Sequence, residues 1–309
     1  MKKIVITEFM DLPAVESLKP QFNVVYDPTL VDDAARLVAL VQDCDALVVR
    51  NRTQVRGELL AACRKATVIG RLGVGLDNID VPACEARGMK VIPATGANAL
   101  AVAEYVIGTT MVLLRGVYQA SAEVTAGAWP RAALSSGREI SGKTLGLIGF
   151  GGIGRLTARL AQGLGMQVIA HDPMLKRDDA VWAQTGVKSA TLEELLTQAD
   201  AVSLHVPLTP ETKNLLSSER IAKMKKGAIV INTARGGITD EAAVSAAIKT
   251  GALGGAAFDV FEPEPLKAGN PWVGCPNVIL TPHVAGVTAE ANERVSTLIA
   301  AEVAKALGV

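Results

Sequence analysis

The chain has 309 residues, and its 31 Lys and Arg residues balance 31 Asp and Glu residues. A balanced charge provides no net field for binding nucleic acid or an anionic membrane. No apolar stretch approaches the length of a membrane span, and Glu8 interrupts the N-terminal segment before a signal-length apolar run develops. We therefore expect a cytoplasmic globular protein with one large or two medium domains.

The four cysteines, Cys44, Cys63, Cys84 and Cys275, lack C-x-x-C spacing and have no histidines near them in the sequence. We interpret them as free thiols, and the sequence predicts no metal site. Aromatic residues make up only 4% of the chain, so the core is expected to consist of Val, Ile, Leu and Ala. That composition is typical of buried parallel strands covered by helices.

The first part of the chain alternates short β-rich runs with helical runs, which is the pattern of α/β units. The predicted strands lie at Ile4–Thr7, Val24–Tyr26, Ala46–Val49, Val68–Gly70 and Val91–Pro93. The predicted helices between them lie at Leu12–Leu18, Asp32–Val41, Gly57–Lys65 and Val81–Arg87. A long alanine-rich helix is predicted next, over Asn98–Ala120.

A second set of strands and helices follows this long helix. The predicted strands are Thr144–Ile148, Gln167–Ala170, Ala201–His205, Ala228–Asn232, Gly255–Phe258 and Val278–Leu280. The predicted helices are Arg155–Leu164, Leu192–Gln198, Ser218–Met224, Asp240–Thr250 and Thr288–Leu307. We predict an α/β fold of two Rossmann-like, doubly wound parallel-sheet domains with a cleft between them. We expect residues 1–98 and 287–309 to form one domain and residues 99–286 to form the other.

The strand at Thr144–Ile148 runs into Gly149-Phe-Gly-Gly-Ile-Gly154, a G-x-G-x-x-G motif that opens a helix. The first glycine permits a tight turn, the second lets backbone N–H groups approach a pyrophosphate, and the third lets the helix pack near the strand. The helix N-terminus then presents N–H donors to the phosphates. Asp172, after the next strand, suits the ribose hydroxyls and repels a 2′-phosphate. The motif therefore predicts NAD, while Lys176 and Arg177 leave some use of NADP open.

Three segments that follow strands of the second domain carry residues suited to redox chemistry at a hydroxy acid. Arg235, Glu264 and His283 each follow a different strand, and carboxyl ends of parallel strands line the ligand crevice of such a sheet. An arginine binds a carboxylate bidentately, a histidine takes the hydroxyl proton, and a neighbouring carboxylate stabilises the imidazolium. Taken singly, Arg235 could cap a helix or bridge to Asp240, Glu264 could be a solvated turn acid, and His283 could be a surface histidine.

Two other features of the sequence leave both a structural and a functional interpretation open. His205 closes a strand and could border the adenine side of a cofactor site, while His171 is either a cofactor neighbour or without a role. In the first domain Arg50 and Arg71 end strands, and Arg52 lies close to Arg50. Solvated charge is the ordinary explanation, but the three arginines together suggest an anion site for a substrate with a second negative group.

Several segments together resemble one protein family, the D-isomer-specific 2-hydroxyacid dehydrogenases, over nearly the whole chain. These segments are the glycine motif with Asp172, residues 73–80, 205–212, 232–237, 255–265 and 281–283. The resemblance implies a flavodoxin-like substrate domain beside the NAD-binding domain. It implies that Arg235 binds the substrate carboxylate, that His283 is the general acid/base and that Glu264 is its partner. Asp259 is then expected to hold the nicotinamide amide.

The complete set of predicted contacts follows from the motifs and the resemblance. The predicted cofactor-binding residues are Gly149, Gly151, Gly152, Ile153, Gly154, Asp172, His205, Pro207, Thr212, Thr233, Ala234, Asp259 and Gly286. The predicted substrate-binding residues are Arg50, Arg52, Arg71, Gly73, Val74, Gly75, Asn98, Arg235 and His283.

Within the family, Arg50, Arg71 and Asn98 match the substrate residues of members that act on 3-phosphoglycerate in serine biosynthesis. We therefore predict a dehydrogenase of a doubly anionic D-2-hydroxy acid, with 3-phosphoglycerate first. Reduction of glyoxylate or hydroxypyruvate, oxidation of sulfolactate, and an NAD(H)-sensing corepressor role remain alternatives. The resemblance also implies a homodimer through residues 99–140, with Arg131 reaching the neighbouring site. A chain that ends at Val309 is expected to lack a C-terminal regulatory domain.

Overall fold

The structure is a computed structural model that describes residues 1–308 of the chain. Its strands are β1 (Lys3–Ile6), β2 (Asn23–Tyr26), β3 (Ala46–Val49), β4 (Val68–Arg71), β5 (Lys90–Pro93), β6 (Thr144–Ile148), β7 (Gln167–His171), β8 (Lys188–Ser189), β9 (Ala201–Leu204), β10 (Ala228–Asn232), β11 (Leu253–Phe258) and β12 (Val278–Leu280). Its α-helices are α1 (Leu12–Leu18), α2 (Ala34–Val41), α3 (Gly57–Ala62), α4 (Val81–Ala86), α5 (Ala99–Arg115), α6 (Ser121–Thr125), α7 (Gly152–Gly163), α8 (Ala180–Thr185), α9 (Leu192–Gln198), α10 (Ser218–Ala222), α11 (Glu241–Lys249) and α12 (Ala289–Ala306).

The chain divides into two compact units, one of Met1–Asn98 together with the segment from Val287 onward, and one of Ala99–Gly286. The first unit contains a five-stranded parallel sheet in the order β2-β1-β3-β4-β5. The pairing of β1 with β3 sets Ile6 beside Val48, so the residues that follow these two strands emerge at the same edge of the sheet. The buried strands are continuous apolar runs because helices cover both faces.

Helices from both ends of the chain cover one face of the first sheet. Leu18 of α1 and Ile299 and Val303 of α12 are buried in the same apolar cluster as Ile4 of β1. The opposite face packs against α2, α3 and α4. The C-terminal helix thus belongs to the first unit, although the residues before it build the second.

The second unit contains a seven-stranded parallel sheet in the order β12-β11-β10-β9-β6-β7-β8. The chain builds outward from β6 through β7 and β8, then returns to the other side of β6 for β9 and continues to β12. Ligand crevices of doubly wound sheets form where the order reverses in this way, at the carboxyl ends of the strands. One face packs against α5, α7 and α8, and the other against α9, α10 and α11.

The predicted fold class is confirmed, since both sheets are parallel and covered on both faces. The predicted helix Asn98–Ala120 was too long, because α5 ends at Arg115. Gly116 follows with a φ of 67°, a left-handed conformation that commonly stops a helix. The short elements α6, α8 and β8 were missed because they carry no long apolar run.

The four cysteines are free thiols in the structure, and three of them are buried. Among residues 1–308, no single helix combines the length and hydropathy needed to cross a bilayer. The helix α5 and the segment Tyr118–Thr125 meet both criteria only as a pair, and this pair is bent by 75°.

Candidate active site

The glycine motif forms the turn between β6 and α7. Gly149 has a φ of 96°, and a Cβ atom there would lie 2.6 Å from the carbonyl oxygen of His205. A side chain at this position is therefore excluded by both conformation and space. The helix α7 begins at Gly152. Its N-cap residue, Gly151, makes no side-chain hydrogen bond to the first N–H groups of the helix. Such a helix start is suited to an anionic group.

Asp172 lies directly after β7 and is joined to the glycine turn. Its Oδ2 atom accepts a hydrogen bond of 2.8 Å from the N–H of Phe150, and its Oδ1 atom accepts one of 2.9 Å from the N–H of Met174. The neighbouring His171 ring lies with Nδ1 3.2 Å from the carbonyl oxygen of Ala190. The structure thus brings the predicted pyrophosphate turn and the predicted ribose acid together.

The loop after β9 carries three further residues predicted to contact a cofactor. Burial lowers the pKa of His205 to about 4, so its ring is neutral at pH 7. Its Nε2 atom lies 3.0 Å from the hydroxyl of Ser203. The Thr212 hydroxyl donates a hydrogen bond of 2.6 Å to the carbonyl oxygen of Pro207, which closes the loop on itself. A neutral His205 suits contact with an uncharged ring better than proton transfer.

The loop after β10 carries Arg235 and is held by a buried side chain that the sequence analysis did not single out. Asn232 is fully buried. Its Oδ1 atom accepts a bond of 3.0 Å from the N–H of Ala234, and its Nδ2 atom donates one of 2.9 Å to the carbonyl oxygen of Arg235. A polar amide at the end of an apolar strand was the available signal. The hydroxyl of Thr233 in this loop is buried without a hydrogen-bond partner among residues 1–308.

Glu264 and His283 form a hydrogen-bonded pair. The Glu264 Oε2 atom lies 2.9 Å from His283 Nδ1, and Glu264 Oε1 accepts a bond of 3.0 Å from the N–H of Phe261. Because an ionised carboxylate only accepts hydrogen bonds, Nδ1 carries the proton and Nε2 is left to exchange one with a ligand. The His283 side chain is 45% exposed, so a ligand has access to it.

Asp259, at the end of β11, holds the loop on which His283 lies. Its carbonyl oxygen accepts a bond of 2.9 Å from the N–H of His283. Its carboxylate accepts bonds of 2.8 Å from the N–H groups of Val284 and Ala285 and one of 2.6 Å from the Thr281 hydroxyl. His283 has a φ of 58°, a conformation that costs about 1–3 kcal/mol and persists where surrounding bonds impose it. The predicted contact of Asp259 with the nicotinamide amide stays a prediction.

The first unit carries the predicted arginines at the carboxyl ends of β3 and β4, in different surroundings. The Arg50 guanidinium lies 5.5 Å from the centre of the Phe9 ring and donates a bond of 2.8 Å to the Asn292 side-chain oxygen. Arg52 forms an exposed ion pair with Asp32. The structure therefore neutralises Arg52 with a carboxylate, whereas Arg50 lies against an amide and an aromatic ring.

Arg71 lies next to the predicted substrate loop at residues 73–75. Its Nη1 atom donates a bond of 3.1 Å to the carbonyl oxygen of Leu72, and a Cβ atom at Gly73 would collide with its guanidinium. Asn98 ends the segment Met1–Asn98 of the first unit. Its Oδ1 atom is buried without a hydrogen-bond partner among residues 1–308. Roles of these residues in substrate binding stay predictions.

Comparisons with known proteins identify the family. Residues 107–285 match the family model for the NAD-binding domain of D-isomer-specific 2-hydroxyacid dehydrogenases. The chain is 53% identical over 309 residues to an (S)-sulfolactate dehydrogenase of Chromohalobacter salexigens, covering 100% of this chain and 99% of that protein. It is 40% identical over 308 residues to a D-3-phosphoglycerate dehydrogenase of Methanocaldococcus jannaschii, covering 99% of this chain but only 58% of that protein. An NAD-dependent formate dehydrogenase from Staphylococcus aureus, solved with NAD, superposes with a TM-score of 0.81 at 26% identity, covering 100% of this chain and 96% of that one.

The chain belongs to the D-isomer-specific 2-hydroxyacid dehydrogenases. It is an NAD-dependent oxidoreductase of that family, which confirms the predicted family, enzyme class and cofactor. The residues fit the cofactor, because the glycine turn leaves room for a close approach and Asp172 is fastened beside it.

Proposed function

We propose that Arg235, Glu264 and His283 carry out the reaction of this enzyme. Arg235 binds the substrate carboxylate through its guanidinium. His283 Nε2 takes the hydroxyl proton in oxidation and returns it in reduction, and the Glu264 carboxylate stabilises the imidazolium formed in between. When bound, NAD accepts the hydride of the oxidation and NADH supplies it in the reverse direction. The 2.9 Å bond between Glu264 and His283 is the observation that carries this assignment.

The cofactor is held, on this proposal, by the residues around the glycine turn. The N-terminus of α7 binds the pyrophosphate, and Asp172 accepts hydrogen bonds from the ribose hydroxyls. The Thr233 hydroxyl, buried without a partner among residues 1–308, is available to bond the bound dinucleotide. The Asp172 carboxylate also disfavours a 2′-phosphate, because two negative groups then come close together.

The substrate we propose is a doubly anionic hydroxy acid bearing a sulfonate, so that the enzyme interconverts sulfolactate and sulfopyruvate. The 53% identity to a sulfolactate dehydrogenase along the whole chain supports this substrate above 3-phosphoglycerate. The charges near β3 agree with it. A sulfonate carries one negative charge, whereas a phosphate monoester carries about −1.5 to −2 at pH 7. Since Asp32 already neutralises Arg52, the loop after β3 offers the unpaired charge of Arg50, which matches a single negative charge better than two.

The two arginines after β3 give a direct test of this substrate. We expect Arg50→Ala to raise KM for sulfopyruvate about 10- to 100-fold, the range for a lost hydrogen bond between charged groups. Arg52→Ala is the matched control, and it should change that KM by less than about threefold because it removes a solvated ion pair. Neither variant should alter KM for glyoxylate, which has no second anionic group. Initial rates of NADH oxidation measure all four values.

Equal losses in both variants, or an equal loss for glyoxylate, would refute the sulfonate proposal. A wild-type kcat/KM that is higher for phosphohydroxypyruvate than for sulfopyruvate would instead favour 3-phosphoglycerate as the substrate. The 40% identity to a D-3-phosphoglycerate dehydrogenase keeps that second candidate open.

We further propose that residues 99–140 mediate a homodimer. Five large apolar side chains of this segment are exposed in the single chain: Trp129 at 79%, Tyr118 at 59%, Val124 at 43%, Met111 at 40% and Leu100 at 38%. Neighbouring exposed apolar residues mark interaction surfaces. We expect Trp129→Ser to weaken the dimer at least about 30-fold, as for a buried tryptophan at an interface. Sedimentation equilibrium measures the change. The control Met174→Ser changes an apolar residue outside the segment that is 87% exposed, and it should leave the dimer intact.

A further inference from the structure

Glu8 is a buried carboxylate that the proposed reaction does not use. It follows β1 at the carboxyl edge of the first sheet and is only 4% exposed. Its Oε1 atom accepts hydrogen bonds of 2.9 Å and 3.0 Å from the N–H groups of Arg50 and Thr53, and its Oε2 atom accepts one of 3.0 Å from the N–H of Arg52. Burying an ionised carboxylate costs several kcal/mol unless such bonds compensate it. All three donors belong to the Arg50 loop, which we define as residues 50–53.

The Arg50 loop is held through its carbonyl groups as well. Asn78 is 6% exposed, and its Nδ2 atom donates bonds of 2.7 Å and 3.2 Å to the carbonyl oxygens of Thr53 and Arg50. The Thr53 hydroxyl lies 2.8 Å from the hydroxyl of Thr7. Loops at the surface are usually among the more mobile parts of a protein. Buried polar side chains on both sides of this loop instead fix its backbone in place.

The charge of Glu8 decides how the loop can bind an anion. Burial by itself raises the pKa of Glu8, but the N–H groups of Thr53, Arg50 and Arg52 lower it by more, so the pKa lies below its ordinary value of 4.5. Converging backbone N–H groups form an anion-binding concavity, and here the protein's own carboxylate occupies it. A substrate anion at this loop must therefore be bound by side chains. Of the two arginines of the loop, Arg52 forms an ion pair with Asp32, whereas the Arg50 guanidinium forms no ion pair with a carboxylate of residues 1–308.

The residue after Glu8 completes the arrangement. Phe9 places its ring 5.5 Å below the Arg50 guanidinium, while Asn292 of α12 accepts a bond from the same group. Glu8 fixes the backbone of Arg50, and its neighbour in the chain supports the side chain. A guanidinium held in this way loses less conformational freedom when it binds an anion than a mobile one.

We propose that Glu8 is a positioning residue for substrate specificity: its buried carboxylate fixes the Arg50 loop so that the Arg50 guanidinium binds the second anionic group of the substrate. This inference rests on the proposed function, since it requires a doubly anionic substrate. It assigns Glu8 no contact with substrate or cofactor.

The test is Glu8→Gln, which keeps the size of the side chain and removes its charge. We expect KM for sulfopyruvate to rise about tenfold, the effect of weakening charge-assisted hydrogen bonds. The kcat for sulfopyruvate, KM for glyoxylate and the affinity for NADH should each change by less than about threefold, because Glu8 touches none of the reacting groups. Glu16→Gln is the matched control, since Glu16 is an exposed acid of α1 paired with Lys19.

Hydrogen–deuterium exchange of the full chain reports on the loop separately. The peptide containing residues 50–53 should exchange faster in Glu8→Gln than in the wild type, because three N–H groups lose a charged acceptor. Asn78→Ser removes the bonds to the carbonyl groups, and it should reproduce the selective rise in KM. This second variant keeps the test available if Glu8→Gln does not fold.

The outcomes separate the two proposals. Faster exchange with equal rises in KM for sulfopyruvate and glyoxylate would make Glu8 a structural residue only and overturn the inference. A variant that keeps the wild-type preference for sulfopyruvate would also overturn it, while leaving the proposed function intact. A wild-type enzyme without any preference for sulfopyruvate over glyoxylate would overturn both.

Discussion

Replacing His283 by alanine is expected to lower kcat by about 10²–10⁴-fold, the contribution usual for general acid–base catalysis. The Nδ1 bond to Glu264 leaves the Nε2 atom of the imidazole available to exchange a proton with the substrate. The affinity for NADH, measured by quenching of protein fluorescence, should change little. Rates of NADH oxidation with sulfopyruvate and with glyoxylate should fall together, because both substrates need the same proton.

His171→Ala is the matched control for this prediction. His171 is a partly exposed histidine of the same unit. Within residues 1–308, the hydrogen-bond partner of its ring is the backbone carbonyl oxygen of Ala190. Unchanged turnover in His283→Ala, or an equal loss in His171→Ala, would remove His283 from the reaction.

Replacing Arg235 by glutamine is expected to lower kcat/KM by about 10²-fold or more, because two charge-assisted hydrogen bonds to the substrate carboxylate are lost together. Asn232 still holds the backbone of the loop in this variant, so the effect reports on the guanidinium. Arg235→Lys keeps the charge but not the planar fork, and it should recover only part of the loss. The loss should be the same for glyoxylate and sulfopyruvate, since both carry the carboxylate.

Arg220→Gln provides the comparison for Arg235→Gln. Arg220 lies in the same unit and pairs with Glu193 on the surface. If Arg235→Gln affects kcat/KM no more than Arg220→Gln does, or affects sulfopyruvate alone, then Arg235 does not bind the common carboxylate.

The fold class could be predicted because its signals are local. Strands such as β3 and β10 are unbroken apolar runs, and the glycine turn after β6 needs particular residues at particular positions. The predicted ends of the helices were less accurate than the predicted fold class. The end of α5 depends on the left-handed conformation at Gly116, which the alanine-rich pattern on either side does not reveal.

The candidate reaction residues could be singled out for a similar reason. Arg235, Glu264 and His283 follow strands of a sheet whose carboxyl ends form one edge, so position along the chain indicated position in the fold. The sequence could not show how each loop is held. Asn232 and Asp259 hold the two loops through bonds to backbone groups, and any residue type provides such groups.

The alternation of strands and helices, the glycine motif and the reactive residue types are properties of the sequence itself, because each depends on near neighbours along the chain. The state of each charged group was decided only by the tertiary structure. Arg52 pairs with Asp32 and Arg50 bonds Asn292, while Glu8 accepts bonds from the Arg50 loop because β1 and β3 are adjacent in the sheet. These partners are distant in sequence, and an arginine that binds a substrate has the same local pattern as one that is already neutralised.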